Sequence, residues 1–174
     1  MKRISVSPNF YLDEFLDPYT YLKEKDNGLD LLDFKLFQIA QKVREMYGQP
    51  LYINTWWDFY QLKKDSLSID QIIQQIENSN SLHKWSGLRT ERSNVGGKNS
   101  AHRKGMAIDL KGNGQKLYEV VKDNAKELYC AGLRRIEDKK ITTTWLHADT
   151  WEKNTKPNSI RVVDLTKCTE TIYF

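Results

Sequence analysis

The sequence predicts one α+β domain, a small and mostly antiparallel sheet flanked by helices. Three observations carry that expectation. Two stretches repeat apolar residues with helical period, several short β-branched and aromatic runs lie between turn signals, and the 174-residue length suits one substantial core. No internal repeat is apparent, and residues 1–174 are read as a single domain with an inserted helical segment over 58–84.

Leu32, Leu36, Ile39, Ala40, Val43 and Met46 mark a core helix across 30–47, and Gly48 followed by Pro50 supplies its stop. Leu51 to Trp57 is rich in strand formers and is expected to enter the sheet. Ser68-Ile69-Asp70-Gln71 has the form of a capping box, opening a short helix with Ile69, Ile72, Ile73 and Ile76 on one face. That segment is expected to pack over the functional site. Residues 92–99, with Gly96-Gly97 among polar neighbours, read as loop. Met106 to Leu110 reads as a short buried strand presenting Asp109 on one side. Leu117, Val120, Val121, Ala125 and Leu128 then predict a further helix, after the expected strand at Asp109, ending near Gly132. Ile141 to Ala148 is expected as a strand, and Ile160 to Val163 as the last one, after a turn at Lys156-Pro157-Asn158. Of the five tryptophans, about two thirds are expected to be largely buried, because indole supplies large apolar area to cores. Trp145, sharing a strand with His147, is the one expected to line a cleft.

Composition excludes more than it selects. The apolar runs are far too short to span a bilayer, so no membrane partner is expected. The net charge of +4 is scattered, without the dense basic block of a nucleic-acid arm, and no nucleic acid is expected either. Met1-Lys2-Arg3 is followed by no apolar run, so a cytoplasmic product without a signal peptide is expected, reaching a cell wall after release or carried in a virion. Cys130 and Cys168 lack paired metal spacing and read as reduced thiols, and the chain is expected to be monomeric.

His102 and Asp109, with His147 downstream, outline a metal site. Zinc takes imidazole nitrogen and carboxylate oxygen well, and three protein ligands leave a fourth position for a water whose acidification yields a nucleophile near neutral pH. The small residues Gly105 and Ala107 fit a place where backbone passes close to such a site.

The pattern Ser100-x-His102-x-x-Gly105-x-Ala107-x-Asp109, followed by Trp145-x-His147, resembles the M15 zinc D-Ala-D-Ala peptidases, which include cell-wall carboxypeptidases and phage endolysins. Ser86-Gly87-Leu88-Arg89, residues 94–97 and Asn9 to Phe15 extend the resemblance over most of the chain. It implies a hedgehog and D-Ala-D-Ala-peptidase-like fold, Zn2+ held by His102, Asp109 and His147, and a peptidoglycan stem peptide as substrate. It also implies that Arg89 lies in the substrate site; Ser100, at the head of the motif, and Trp145 are expected there too. Many members carry an acidic general base three residues before the last histidine, where this chain has Thr144. A threonine hydroxyl cannot take a proton from water at neutral pH. Glu137, just before a hairpin whose return strand carries His147, and Asp149, on the same strand face as His147, are the replacement candidates. Glu137 is preferred as base, with Asp149 orienting a ligand.

Overall fold

The computed structural model describes residues 3–53, 57–63, 67–93, 97–164 and 167–174. Among them lie five α-helices and two sheets. Strands β1 (Ser5–Ser7) and β2 (Phe10–Tyr11) form a small antiparallel ribbon, followed by helices α1 (Pro18–Glu24) and α2 (Lys35–Tyr47). The main sheet is built from β3 (Tyr52–Ile53), β4 (Ala107–Lys111), β5 (Arg135–Glu137), β6 (Trp145–Asp149), β7 (Ser159–Asp164) and β8 (Lys167–Tyr173). Its spatial order is β3-β4-β6-β5-β7-β8, and β5 with β7 is its one parallel pair. Helix α3 (Ile69–Asn78) lies between β3 and β4 in the chain, and α4 (Gly114–Asp123) and α5 (Ala125–Cys130) between β4 and β5. No described helix is long and apolar enough to cross a membrane.

Alternation along the central strands separates two faces. Ile108 and Leu110 on β4, Ile136 on β5, and Leu146 and Ala148 on β6 are at most 1% exposed and pack with Leu36, Ile39, Val43, Leu117, Val121 and Leu128 from the helices. Burying each such aliphatic side chain favours folding by about 1.5–3 kcal/mol before entropy is counted. This clamps the register: in a two-residue repeat, a one-residue slip would exchange the faces. The opposite face of the same strands carries Asp109, His147 and Asp149, with Asp109 directly across from His147.

A second apolar cluster joins Leu12, Leu16, Leu22, Phe59, Ile72, Ile73, Ile76 and Leu88. It seats α3 against the N-terminal segment, and it anchors residues 87–89, because the Leu88 N–H donates to the Phe15 carbonyl at 2.9 Å. The capping box forms as expected, with Ser68 N–H to Gln71 Oε1 at 2.8 Å and Gln71 N–H to Ser68 Oγ at 3.3 Å. Ile69 stays outside the cluster, 39% exposed.

Several expectations change. Helix α2 starts at Lys35, because residues 25–31 form a 3-10 turn instead, and it ends at Gly48, whose left-handed φ of +67° stops it. The expected helix over 117–128 is two helices meeting at Asn124, where φ is −118°. The strand expected from Ile141 begins only at Trp145. The strand at Ile160 to Val163 is not the last, since β8 pairs with it along the sheet edge. Trp85, Trp145 and Trp151 are half-buried, not core; Trp56, the Trp57 side chain and Asn94-Val95-Gly96 lie outside what is described. Cys130 and Cys168 are exposed, free thiols.

Candidate metal centre

His102 sits on a 3-10 turn, Ala101–Lys104, that feeds β4 through Gly105. Gly105 adopts φ +65°, and a Cβ there would lie 1.9 Å from the Leu31 carbonyl oxygen. Only glycine meets both demands without distortion. The Gly105 carbonyl in turn accepts from the Asp33 N–H at 2.8 Å, tying the turn to the chain before α2.

His102 is 3% exposed and His147 8%, while Asp109 keeps 25% of its side-chain surface open to solvent. Their facing atoms form a tight triangle: His102 Nε2 to His147 Nδ1 is 3.2 Å, His147 Nδ1 to Asp109 Oδ1 is 3.1 Å, and His102 Nε2 to Asp109 Oδ1 is 3.4 Å. Ligands about 2.0–2.1 Å from a tetrahedral zinc stand about 3.3–3.4 Å apart, so the three donors span one triangular face of such a polyhedron. Among the described residues this cluster could hold a metal ion.

The far nitrogens settle where the imidazole protons reside. His102 Nδ1 lies 3.0 Å from the Gly87 carbonyl oxygen, which can only accept, so the proton is on Nδ1 and the Nε2 lone pair points inward. His147 Nε2 faces Asp149 Oδ2 at 3.2 Å, which leaves the Nδ1 lone pair pointing inward as well. Asp149 is fully buried, and its Oδ2 also accepts from Arg135 Nε at 2.6 Å while its Oδ1 accepts from the Trp151 N–H at 3.1 Å. Two inward lone pairs and a carboxylate oxygen thus meet with no donor among them, an arrangement that calls for a cation. With no metal bound a proton must serve instead. Burial alone would lower the His147 pKa, yet hydrogen bonds to Asp109 and Asp149 outweigh it and push the value up to about 10. Burial would likewise raise Asp109, but the ring nitrogens of His102 and His147, which face its Oδ1 at 3.4 and 3.1 Å, hold its carboxyl well below the usual range.

Each remaining expected residue has a definite place. Glu137 ends β5, one step beyond Ile136, which pairs with Ala148; strand alternation sets it on the face of Arg135, Asp149 and His147, half-buried. Its side chain makes no hydrogen bond or ion pair among the described residues. Trp145 is half-buried, paired across the strands with Lys111, whose ammonium lies 4.5 Å from the ring centroid. Ser100 precedes the His102 turn, half-buried, without a side-chain cap bond. Arg89 is half-buried and joined to the centre through its backbone, its N–H donating to the His102 carbonyl at 3.2 Å. Thr144 is exposed before β6.

Two partners were not anticipated from sequence: the Gly87 carbonyl, which carries no side-chain signal, and Arg135, which sits in a charge run that reads as solvated turn. Period-two spacing of Arg135 and Glu137 across the hairpin from His147 and Asp149 could have found Arg135. Compared with protein-family models, with curated proteins and with solved structures, the chain matches none.

Proposed function

We propose that this protein is a zinc-dependent peptidase acting on peptidoglycan stem peptides, with the hedgehog-like fold that its resemblance to the M15 peptidases implies. The observation carrying the reading is the triangle of His102, Asp109 and His147, with both imidazole protons tied up on the outside. Zinc in such a site supplies Lewis acidity and lowers the pKa of water toward neutrality. The chain's residues do the rest. His102 and His147 are held with lone pairs inward, and Asp149, itself fixed by Arg135, prevents the His147 ring from turning. Glu137 takes a proton in place of the carboxylate that Thr144 lacks, from a strand position on the same face as His147. Arg89 binds a substrate carboxylate through its planar fork, while Trp145 and Ser100 border the peptide.

A second reading, favoured by Thr144, is a metal-binding structural or wall-binding protein without catalysis, for instance a virion component. Two measurements decide. Metal-free protein reconstituted with zinc should hold one ion per chain, and His147→Ala should lose it; unchanged stoichiometry would remove the ligand assignment. Purified peptidoglycan incubated with the zinc-loaded chain should release peptides identifiable by mass, and absence of any cleavage would favour the second reading.

A further inference from the structure

Over the second apolar cluster, α1, α3 and the 3-10 turn Leu82–Trp85 frame a pocket of about 200 Å³ bordered by Tyr19, Ile76, Glu77, Lys84, Trp85 and Arg92. Ile76 is 2% exposed and gives it an apolar floor continuous with that cluster. Trp85 is half-buried, and among the described residues its indole N–H has no acceptor, although tryptophan usually pairs that group when it is withdrawn from water. The Arg92 guanidinium lies 3.7 Å from the Tyr19 ring centroid and donates to Glu77 Oε1 at 2.6 Å. This steadies the carboxylate and leaves its other oxygen without a partner among the described residues. Lys84 turns its ammonium to the Ser79 and Glu77 carbonyls, at 2.6 and 3.3 Å. Both cations are thus engaged within the wall, so the pocket does not select an anion. It is smaller than the about 300–1,000 Å³ of sites for drug-sized ligands, and it suits one ring with short substituents.

We propose that this pocket binds one N-acetylhexosamine unit of a glycan. An acetamido group carries one acceptor, one donor and a methyl; the pocket answers with the Trp85 N–H, the free Glu77 oxygen and the Ile76 floor. The indole body suits the C–H face of a pyranose, which is apolar, while the ring hydroxyls stay hydrated at the open side. A purely aliphatic guest would cover the Trp85 N–H and the Glu77 oxygen without pairing them, at a cost in free energy. Trp85 stands two residues before Gly87, whose carbonyl orients His102, so the pocket is joined to the metal centre by a short length of chain. The preference for an acetamido sugar follows from the pocket alone; that its glycan is the one bearing the stem peptide rests on the peptidase reading above.

The test uses the zinc-loaded full chain and two probes, methyl N-acetyl-β-D-glucosaminide and methyl β-D-glucoside, which differ only in the acetamido group. Titrations followed by nuclear magnetic resonance should give a dissociation constant of about 1 mM for the first and one at least about tenfold weaker for the second. Trp85→Phe keeps the aromatic body but removes the N–H, and Glu77→Gln removes the carboxylate at an exposed position; each should weaken the acetamido sugar about fivefold or more with the melting temperature unchanged. Equal affinities for the two sugars, no saturable binding up to about 20 mM, or binding untouched by both variants would overturn the proposal. The pocket shares no residue with the metal ligands, so His147→Ala should bind the sugar as the unmutated chain does. Sugar binding without cleavage of any stem peptide would therefore leave the pocket standing and the peptidase reading refuted; peptide cleavage without sugar binding would do the reverse.

Discussion

Asp149 is surrounded by donors, and that makes its replacement by asparagine a sharp test of how the centre is held. Its Oδ2 accepts from His147 Nε2 and Arg135 Nε, and its Oδ1 from the Trp151 N–H. An asparagine has one acceptor oxygen and one donating amide. If the oxygen stays toward His147 and Arg135, the amide confronts the Trp151 N–H; if it flips, two donors are opposed instead. The first orientation loses less, so the His147 ring keeps its direction but loses a charged acceptor. Partners of this kind support metal affinity by about 10–100-fold. Asp149→Asn should therefore weaken zinc binding by about tenfold, equivalent to about 1.4 kcal/mol. Asp149→Ala should approach the hundredfold end, since it frees the ring and leaves Arg135, its side chain only 18% exposed, without its counter-ion. The unsatisfied N–H in the asparagine variant costs about 1–3 kcal/mol, or about 2–12 °C of melting temperature at this chain length. Competition against a chromophoric chelator at neutral pH measures the first quantity, and thermal melting of metal-free protein the second. Zinc affinity within about twofold of wild type in both variants would refute the orienting role of Asp149.

Glu137→Gln should abolish peptide turnover while leaving zinc content intact; wild-type rates on a verified peptidoglycan substrate would exclude Glu137 as the base. Gly105→Ala should destabilise by more than about 2 kcal/mol, because a Cβ would meet the Leu31 carbonyl at 1.9 Å on a backbone with φ +65°; an unchanged urea midpoint would count against that geometry. Asp17 caps α1, accepting from the Thr20 N–H at 3.1 Å, and burial raises its pKa from 3.8 to about 6 despite the Thr20 hydrogen bonds that oppose the shift. Its protonated form therefore favours the folded state: the contribution is complete below pH 3.8 and is lost as pH rises through about 6, amounting to at most about 3 kcal/mol by pH 7. Asp17→Asn, an equally good cap, should flatten the stability profile across that window and leave the variant more stable at pH 7; a profile parallel to wild type would contradict the shift.

The parts of the fold legible in the sequence are those where one local force dominates. The Gly48 stop, the Ser68 capping box and the buried strand around Asp109 each depend on a few neighbouring residues, and each stands within a residue or so of its expected place. The hairpin between Glu137 and His147 was legible too, and it places Glu137, His147 and Asp149 along one sheet face. Strand β8 was not legible. Five of its residues, Lys167 to Thr171, are polar or exposed edge positions without an alternating apolar signal, and only Ile172 is buried. Its pairing depends on β7, a tertiary cause that local pattern does not carry. The break at Asn124 was hidden for a similar reason, since the apolar repeat runs on from Val121 through Ala125 and Leu128 while the backbone turns at Asn124. The three proposed ligands were recognisable by residue type and spacing, but their outer partners were not. A backbone carbonyl such as that of Gly87 has no residue-type signature, and Arg135 becomes meaningful only once β5 lies beside β6.

The separation of the two histidines along the chain carries a further consequence. His102 and His147 are 45 positions apart, yet their facing nitrogens stand 3.2 Å from one another. An ion shared by them would act as a removable cross-link, closing a loop that contains β4, α4, α5 and β5. Closing a loop of that length restricts the unfolded chain by about 4 kcal/mol in the entropy model used for disulfides. A chain with two unpaired, exposed thiols would thereby gain a staple that needs no oxidant, and whose strength follows the supply of metal in its surroundings.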